Sequence, residues 1–345
     1  MLPLTSLFCD VLPAKSDDPE YYKSFLTQYT LITVPAIHSQ AIITPESAAE
    51  RVLLNDQVDN FITELPKASL TKRRNFPYLT GRALMPSSAM IQDQESRTFV
   101  SAIFIEKAIE HKITNLQMIL SAQNASAFLN YFGLLEDTIN RIHVEKCGEY
   151  QGEKKILGSG TIYLYLNEIL NKEKIKGQFV SELAKRSEFF LNFKVLESTW
   201  SLLSLIRNTV MHEGGNFSKE KQKAFRGKVD NIIKSLSKHN VPEMSVEFLH
   251  HFESVENEIK STGRIRFNDA LENCIRNTCI WVMESLLLSE RTSSRKLSSQ
   301  PKAPKKPQQA RTPPVSHSRD TSHKAKKSAI TPTPLKVSEV RSFRG

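Results

Sequence analysis

The chain has 345 residues, 4 cysteines and a net charge of +10, a length that suits one large or two modest hydrophobic cores. Cys9, Cys147, Cys274 and Cys279 are scattered with no Cys-x-x-Cys or Cys/His zinc spacing, so a zinc ribbon or a disulfide-stapled scaffold is excluded and reduced cytoplasmic thiols are expected. The opening MLPLTSLFCDVLPAKS lacks a basic n-region and is broken by Pro3, Thr5, Ser6 and Asp10, and no apolar run reaches a bilayer span; neither a signal peptide nor a membrane helix is expected.

In chain order, residues 1–119 mix two kinds of signal. Ser16 to Tyr29 and Pro45 to Leu65 read as helices, while the β-branched stretches LITVPAI and AIITP between them read as short strands. A long connection, Lys67 to Gln94, has turn-formers and no clear period. In it Lys72, Arg73 and Arg74 stand beside Phe76 and Tyr78, a pattern that can bind RNA by charge and stacking but is more often a solvated basic loop. No Walker loop, dinucleotide-binding glycine pattern or paired metal-binding histidine occurs here, and the role of this region is not legible.

From about residue 120 to 290 the pattern is helical. Phe128, Tyr131, Phe132, Leu135, Ile139 and Ile142 recur at three- and four-residue steps, which marks an amphipathic helix. After a loop containing Gly148, Gly152, Gly158 and Gly160, helical patterns run through IYLYLNEIL, Phe179 to Phe190, Phe193 to His212 and Ser218 to His239. Gly214 and Gly215 stop the helix that ends at His212. Ser245 to Phe267 reads as a small hairpin or an irregular insertion, and Asn268 to Leu288 as a last helix.

The remainder, 291–345, is rich in Pro, Ser, Lys and Gln and holds 14 Lys/Arg against 2 Asp/Glu, a net of +12; residues 1–290 hold 33 against 35, a net of −2. Such a tail lacks the apolar surface that offsets folding entropy and is expected to be disordered, as an arm for phosphates or an acidic partner, or as a solubilising extension. The near-neutral body does not advertise nucleic-acid binding, so its function has to be argued from a site.

Chemistry concentrates in SLLSLIRNTVMHEGG, where a cation, an amide and an imidazole sit at the polar end of an apolar helix. Asn208 and His212 are one turn apart on nearly one face, whereas Arg207 is offset from His212 by about 140° and about 7.5 Å along the axis. A long Arg side chain can reach around, or a second subunit can supply its own copy. The plain structural alternative is a cation and a histidine interacting with the carbonyls of a helix C-terminus.

Elsewhere, His250 and His251 are adjacent and unsuited to one metal. Arg276-Asn277 echoes the motif without a following His, and His111 and His143 lack partners at ligand spacing. No metal site and no cofactor is expected.

Arg207, Asn208 and His212 resemble the Arg-x(4–6)-His motif of the HEPN superfamily, the ribonuclease domain of toxins and phage-defence proteins, in which a polar residue often follows the Arg. The helices YFGLLEDTINRI and ALENCIRNTCIWVMESLLL on either side of the motif helix agree with that frame. The resemblance covers residues 120–290, leaving 1–119 and the tail outside it. It implies a mainly α protein with an antiparallel helical bundle in its C-terminal half, cleaving RNA without metal at a homodimer interface.

In that scheme His212 moves the proton, Arg207 binds the scissile phosphate and Asn208 orients one of them. Glu136, on the first helix, would hold Arg207. A toxin or antiviral-defence setting follows by analogy, with an antitoxin or regulatory partner. The alternative is an inactive HEPN-like dimerisation or RNA-binding adaptor.

Overall fold

The computed structural model describes residues 4–7, 10–43, 47–64, 104–148, 161–187, 189–236 and 243–298. Lys72, Arg73 and Arg74, and the tail beyond residue 298, lie outside the described residues. In chain order the long helices are α1 (Glu20–Ile43), α2 (Ala48–Glu64), α3 (Asn115–Cys147), α4 (Thr161–Lys172), α5 (Lys176–Arg186), α6 (Phe193–Glu213), α7 (Lys219–Leu236), α8 (Glu243–Thr262) and α9 (Asp269–Ser298). A short helical segment spans 104–110. Among the described residues there is no β-strand; Asn216 and Arg264 pair as an isolated antiparallel bridge.

The protein is mainly α, as expected, but two stretches read from sequence as β are helical. LITVPAI and the first residues of AIITP continue α1 as far as Ile43. Tyr22, Phe25 and Tyr29 are buried at three- and four-residue steps, and Tyr29 meets the Tyr131 ring of α3 at 5.6 Å. The hydroxyls of Thr27, Thr30 and Thr33 donate to the carbonyls of Lys23, Leu26 and Tyr29 at 2.9, 2.8 and 2.7 Å. Tertiary burial of one helical face thus overrides the β-propensity of the intervening residues. The second correction is α8, which fills most of the stretch read as a hairpin or insertion. The Ser261-Thr262-Gly263 turn only ends it, with Gly263 at φ 71°.

α3 and α9 form the centre of the core. α3 starts at a capping box: Thr114 Oγ1 accepts from the Gln117 amide at 3.2 Å, and Gln117 Oε1 accepts from the Thr114 amide at 3.1 Å. α9 is buried on all sides from Leu271 to Leu287. α1 packs on α3 and α9, α4 on α3, and α5 on α9, while α6 packs on α7 and α7 on α8. Leu4, Tyr22, Phe25 and Tyr29 share one hydrophobic core with α3 and α9.

Because α9 is enclosed yet carries polar residues, those residues need partners inside the protein. The N-terminal segment supplies several. Asn273 Nδ2 donates to the Thr5 carbonyl at 3.0 Å, Arg276 Nη2 to that of Leu7 at 2.8 Å, and Asn277 Nδ2 to those of Leu4 and Ser6 at 2.9 Å each. Further along, Glu284 Oε1 accepts from the Leu12 amide at 2.5 Å, and Arg291 forms an ion pair with Asp18. The segment therefore runs beside α9 in the same direction, held by side chains of that helix.

Candidate functional site

α6 is set by its two ends. Asn192 caps the start, its side chain accepting from the Val195 amide at 3.0 Å. Gly214 closes the end in the left-handed conformation (φ 58°, ψ 31°), and the Gly215 amide (φ 83°) donates to the Thr209 carbonyl at 3.2 Å. The chain is then pinned to the turn before α9: the Phe217 amide donates to the Gly263 carbonyl at 2.7 Å and the Ile265 amide to that of Gly215 at 3.2 Å. Between these ends Leu196, Leu202, Leu203 and Ile206 are fully buried, and Trp200 stacks on Phe132 of α3 at 4.4 Å. The polar end of α6 is thereby held at a fixed place on the surface.

There the three motif residues differ in environment. His212 is exposed in the last turn, next to Met211 at 55% exposure. Arg207 is half-buried; its guanidinium lies 5.4 Å from the centroid of the Phe132 ring, and Nη1 donates to Asn208 Oδ1 at 2.9 Å. The Arg side chain thus meets Asn208 at one edge and Phe132 of α3 below. Asn208 engages the Arg.

Glu136 sits within electrostatic reach of Arg207 without forming an ion pair. Burial raises its carboxyl above the ordinary range, and the Arg207 charge works against that rise. The structure therefore brings Arg207, Asn208 and Glu136 together and leaves His212 beside them, open to solvent.

The other candidates take structural places. Arg276 is 1% exposed and Asn277 fully buried, both spent on the N-terminal segment. His250 is exposed on α8, while His251 turns inward against Phe252. Burial pulls its imidazole down to about 4.

One pair had no local signal. His143 on α3 is buried, stacks on Tyr165 at 4.3 Å and meets Glu168 of α4 at 2.5 Å between Nε2 and Oε2. The two are 25 positions apart in sequence, and the packing of α4 on α3 joins them. Among the described residues no group of three or more His, Cys, Asp or Glu is placed to hold a metal ion, and no helix is long and apolar enough to cross a membrane.

Comparisons of the chain with models of known protein families, with curated proteins and with solved structures returned no match.

Proposed function

We propose that the protein is a metal-independent endoribonuclease of the HEPN type, acting in a toxin or antiviral-defence setting in the cytoplasm as a homodimer. The observation that carries this reading is the Arg207 guanidinium resting on Asn208, one helical turn from the exposed His212. A guanidinium presents a planar fork to phosphate oxygens, and the Asn208 contact fixes its direction without neutralising it. Glu136 is near enough to orient the Arg and, lacking a direct ion pair, leaves its charge available to a ligand.

The chemistry is an in-line displacement within the RNA strand. His212 takes the proton from a ribose 2′-hydroxyl; the 2′-oxygen attacks the neighbouring phosphorus; the bond from phosphorus to the 5′-oxygen breaks; and that oxygen receives a proton from a protonated imidazole. Arg207 binds the equatorial oxygens as charge builds there. The products carry 2′,3′-cyclic phosphate and 5′-hydroxyl ends. A second copy, with Met211 and His212 exposed at the same helix end, would supply the second imidazole, and an antitoxin or regulatory partner would cover the same end.

The test is RNA integrity with purified protein in EDTA, wild type against His212→Ala. New ends that depend on His212 support the reading; cleavage lost to chelator, or unchanged by the substitution, overturns it. One observation favours the other reading, a HEPN-like dimerisation or RNA-binding adaptor. The Phe132 ring under Arg207 is a contact that a purely structural Arg also makes. That adaptor binds RNA and leaves no new ends.

A further inference from the structure

Several part-buried cations of this chain have a carboxylate at hand: Arg186 meets Glu284, Arg276 meets Glu272, Arg291 meets Asp18 and Lys146 meets Glu290. Lys228 does not follow them. It is half-buried on α7 and donates to Ser201 Oγ of α6 at 2.5 Å. Burial holds its ammonium below the ordinary lysine range, and no neighbouring carboxylate offsets that. A cation withdrawn from water with only a neutral hydroxyl as acceptor is under-compensated, and an anion brought to it gains more than one brought to a solvated or paired lysine.

The place of this cation matters as much as its state. Ser201 precedes Asn208 by seven residues and His212 by eleven, which at 100° per residue puts all three within about 20° of one line along α6. The rise between them is about 10 Å to Asn208 and about 16 Å to His212. Ser201, Arg207 and Asn208 are partly exposed and His212 is exposed, with the partly buried Leu205 between Ser201 and Asn208. Arg207, on the α3 flank, is likewise a part-buried cation with no direct ion pair among the described residues, and Lys228 enters from the α7 flank. An under-compensated lysine, an arginine without a direct ion pair and an imidazole along one helix, farther apart than a single phosphate can span, match a chain of phosphates.

We propose that this face of α6 is a track for the backbone of single-stranded RNA, with Lys228, steadied by Ser201, holding a phosphate beyond the one handled at Arg207, Asn208 and His212. The proposal rests on the ribonuclease reading of that site and adds the strand state of the substrate and a second phosphate contact. A single strand can lay its backbone along a helix axis and turn its bases outward. The backbone of an A-form duplex curves away and meets one end of the line.

The experiment uses the full chain carrying His212→Ala, so that RNA survives, and a short labelled oligoribonucleotide followed by fluorescence anisotropy over a range of salt. Adding Lys228→Gln should weaken binding by about tenfold and reduce the slope of log affinity against log salt by about 0.7, the value for one phosphate contact on a single strand. Adding Lys228→Arg should keep affinity within about twofold, because it keeps the charge. The same oligonucleotide annealed to its complement should bind less tightly.

The proposal is overturned by unchanged affinity and slope in Lys228→Gln, by equal losses in Lys228→Gln and Lys228→Arg, or by a preference for the duplex. Cleavage by the wild type is scored separately. Lys228-dependent binding without cleavage retires the ribonuclease reading and keeps the track, whereas cleavage with Lys228-independent binding does the reverse.

Discussion

Arg207 donates from Nη1 to Asn208 Oδ1 at 2.9 Å, so two consecutive residues of one helix, whose Cα–Cβ directions diverge by about 100°, meet at their tips. The contact converts an unfavourable offset into a shared polar edge, since Asn208 lies one turn before His212 on the same side. In the proposed site Asn208 would thus position the guanidinium, and the two motif ends differ in how firmly they are built into the protein.

That difference separates chemistry from stability. His212→Ala and Arg207→Ala should each lower RNA cleavage by at least about a hundredfold, the scale for losing a placed acid–base group or a charge stabiliser. In thermal melts His212→Ala, at an exposed position, should stay within about 0.5 kcal/mol of wild type. Arg207→Ala should cost about 1 to 2 kcal/mol, because it removes the Phe132 ring contact and the Asn208 hydrogen bond. Equal melts together with undiminished cleavage in both variants would remove the site from consideration.

The proposed homodimer would form at the same helix end. Light scattering at micromolar concentration should give twice the mass of the 345-residue chain. Mixing inactive Arg207→Ala with inactive His212→Ala chains should restore part of the cleavage if the two copies share a site. A strict monomer that cleaves RNA would place both groups in one chain and discard the shared arrangement.

How much of this was legible from sequence depends on whether the deciding contact is local. The glycine stop after His212 and the apolar face of α6 are local, and Gly214 takes the left-handed conformation that the sequence called for. The strands expected in LITVPAI failed because the residues that decide for helix, Tyr22, Phe25 and Tyr29, act through burial against α3. The β-branched residues between them carry the stronger local signal. Lys228 and Ser201 are 27 positions apart and meet only because α7 returns along α6; no spacing rule connects them. Arg276-Asn277 shows the converse, a motif fragment whose chemistry is absorbed by the carbonyls of residues 4–7.

That absorption makes the N-terminal segment part of the folded body. Deleting residues 1–7 would remove the carbonyls that accept from Asn273 and Asn277, each unmet group costing about 1–3 kcal/mol, and leave Arg276 with Asn273 and Glu272 alone. Arg276→Met would leave the fully buried Glu272 with Gln40 as a remaining donor, and should destabilise by about 1–3 kcal/mol. Both proteins should melt well below the full chain. A truncated chain that melts within about 2 °C of the intact one would show that these hydrogen bonds contribute little.

The pH dependence of stability should have two opposed limbs with different owners. Burial pushes the Glu284 carboxyl up to about 7, against the pull of Arg186 and the Leu12 amide. Between about 4.5 and 7 the folded protein keeps that proton while the unfolded chain has lost it, so this contribution falls as pH rises, by about 3 kcal/mol once pH exceeds 7. His251 acts in the other direction. Its imidazole, buried with Nε2 lacking a partner, is pulled from 6.5 down to about 4, so the unfolded chain binds a proton that the folded protein refuses and stability falls as pH drops through that window. Asp18, whose burial is outweighed by its hydrogen bonds from Arg291 and the Lys15 amide, adds a loss only in more acidic solution. Because the two windows overlap between 4.5 and 6.5 with opposite slopes, denaturant midpoints measured from pH 4 to about pH 8.5 should run nearly level through that overlap and fall above it, where only the Glu284 contribution still changes. Glu284→Gln should unmask the acidic limb across its full window, and His251→Leu should unmask the alkaline one. A profile whose alkaline limb persists in Glu284→Gln would mean that the carboxyl is ionised in the folded protein throughout, held by Arg186.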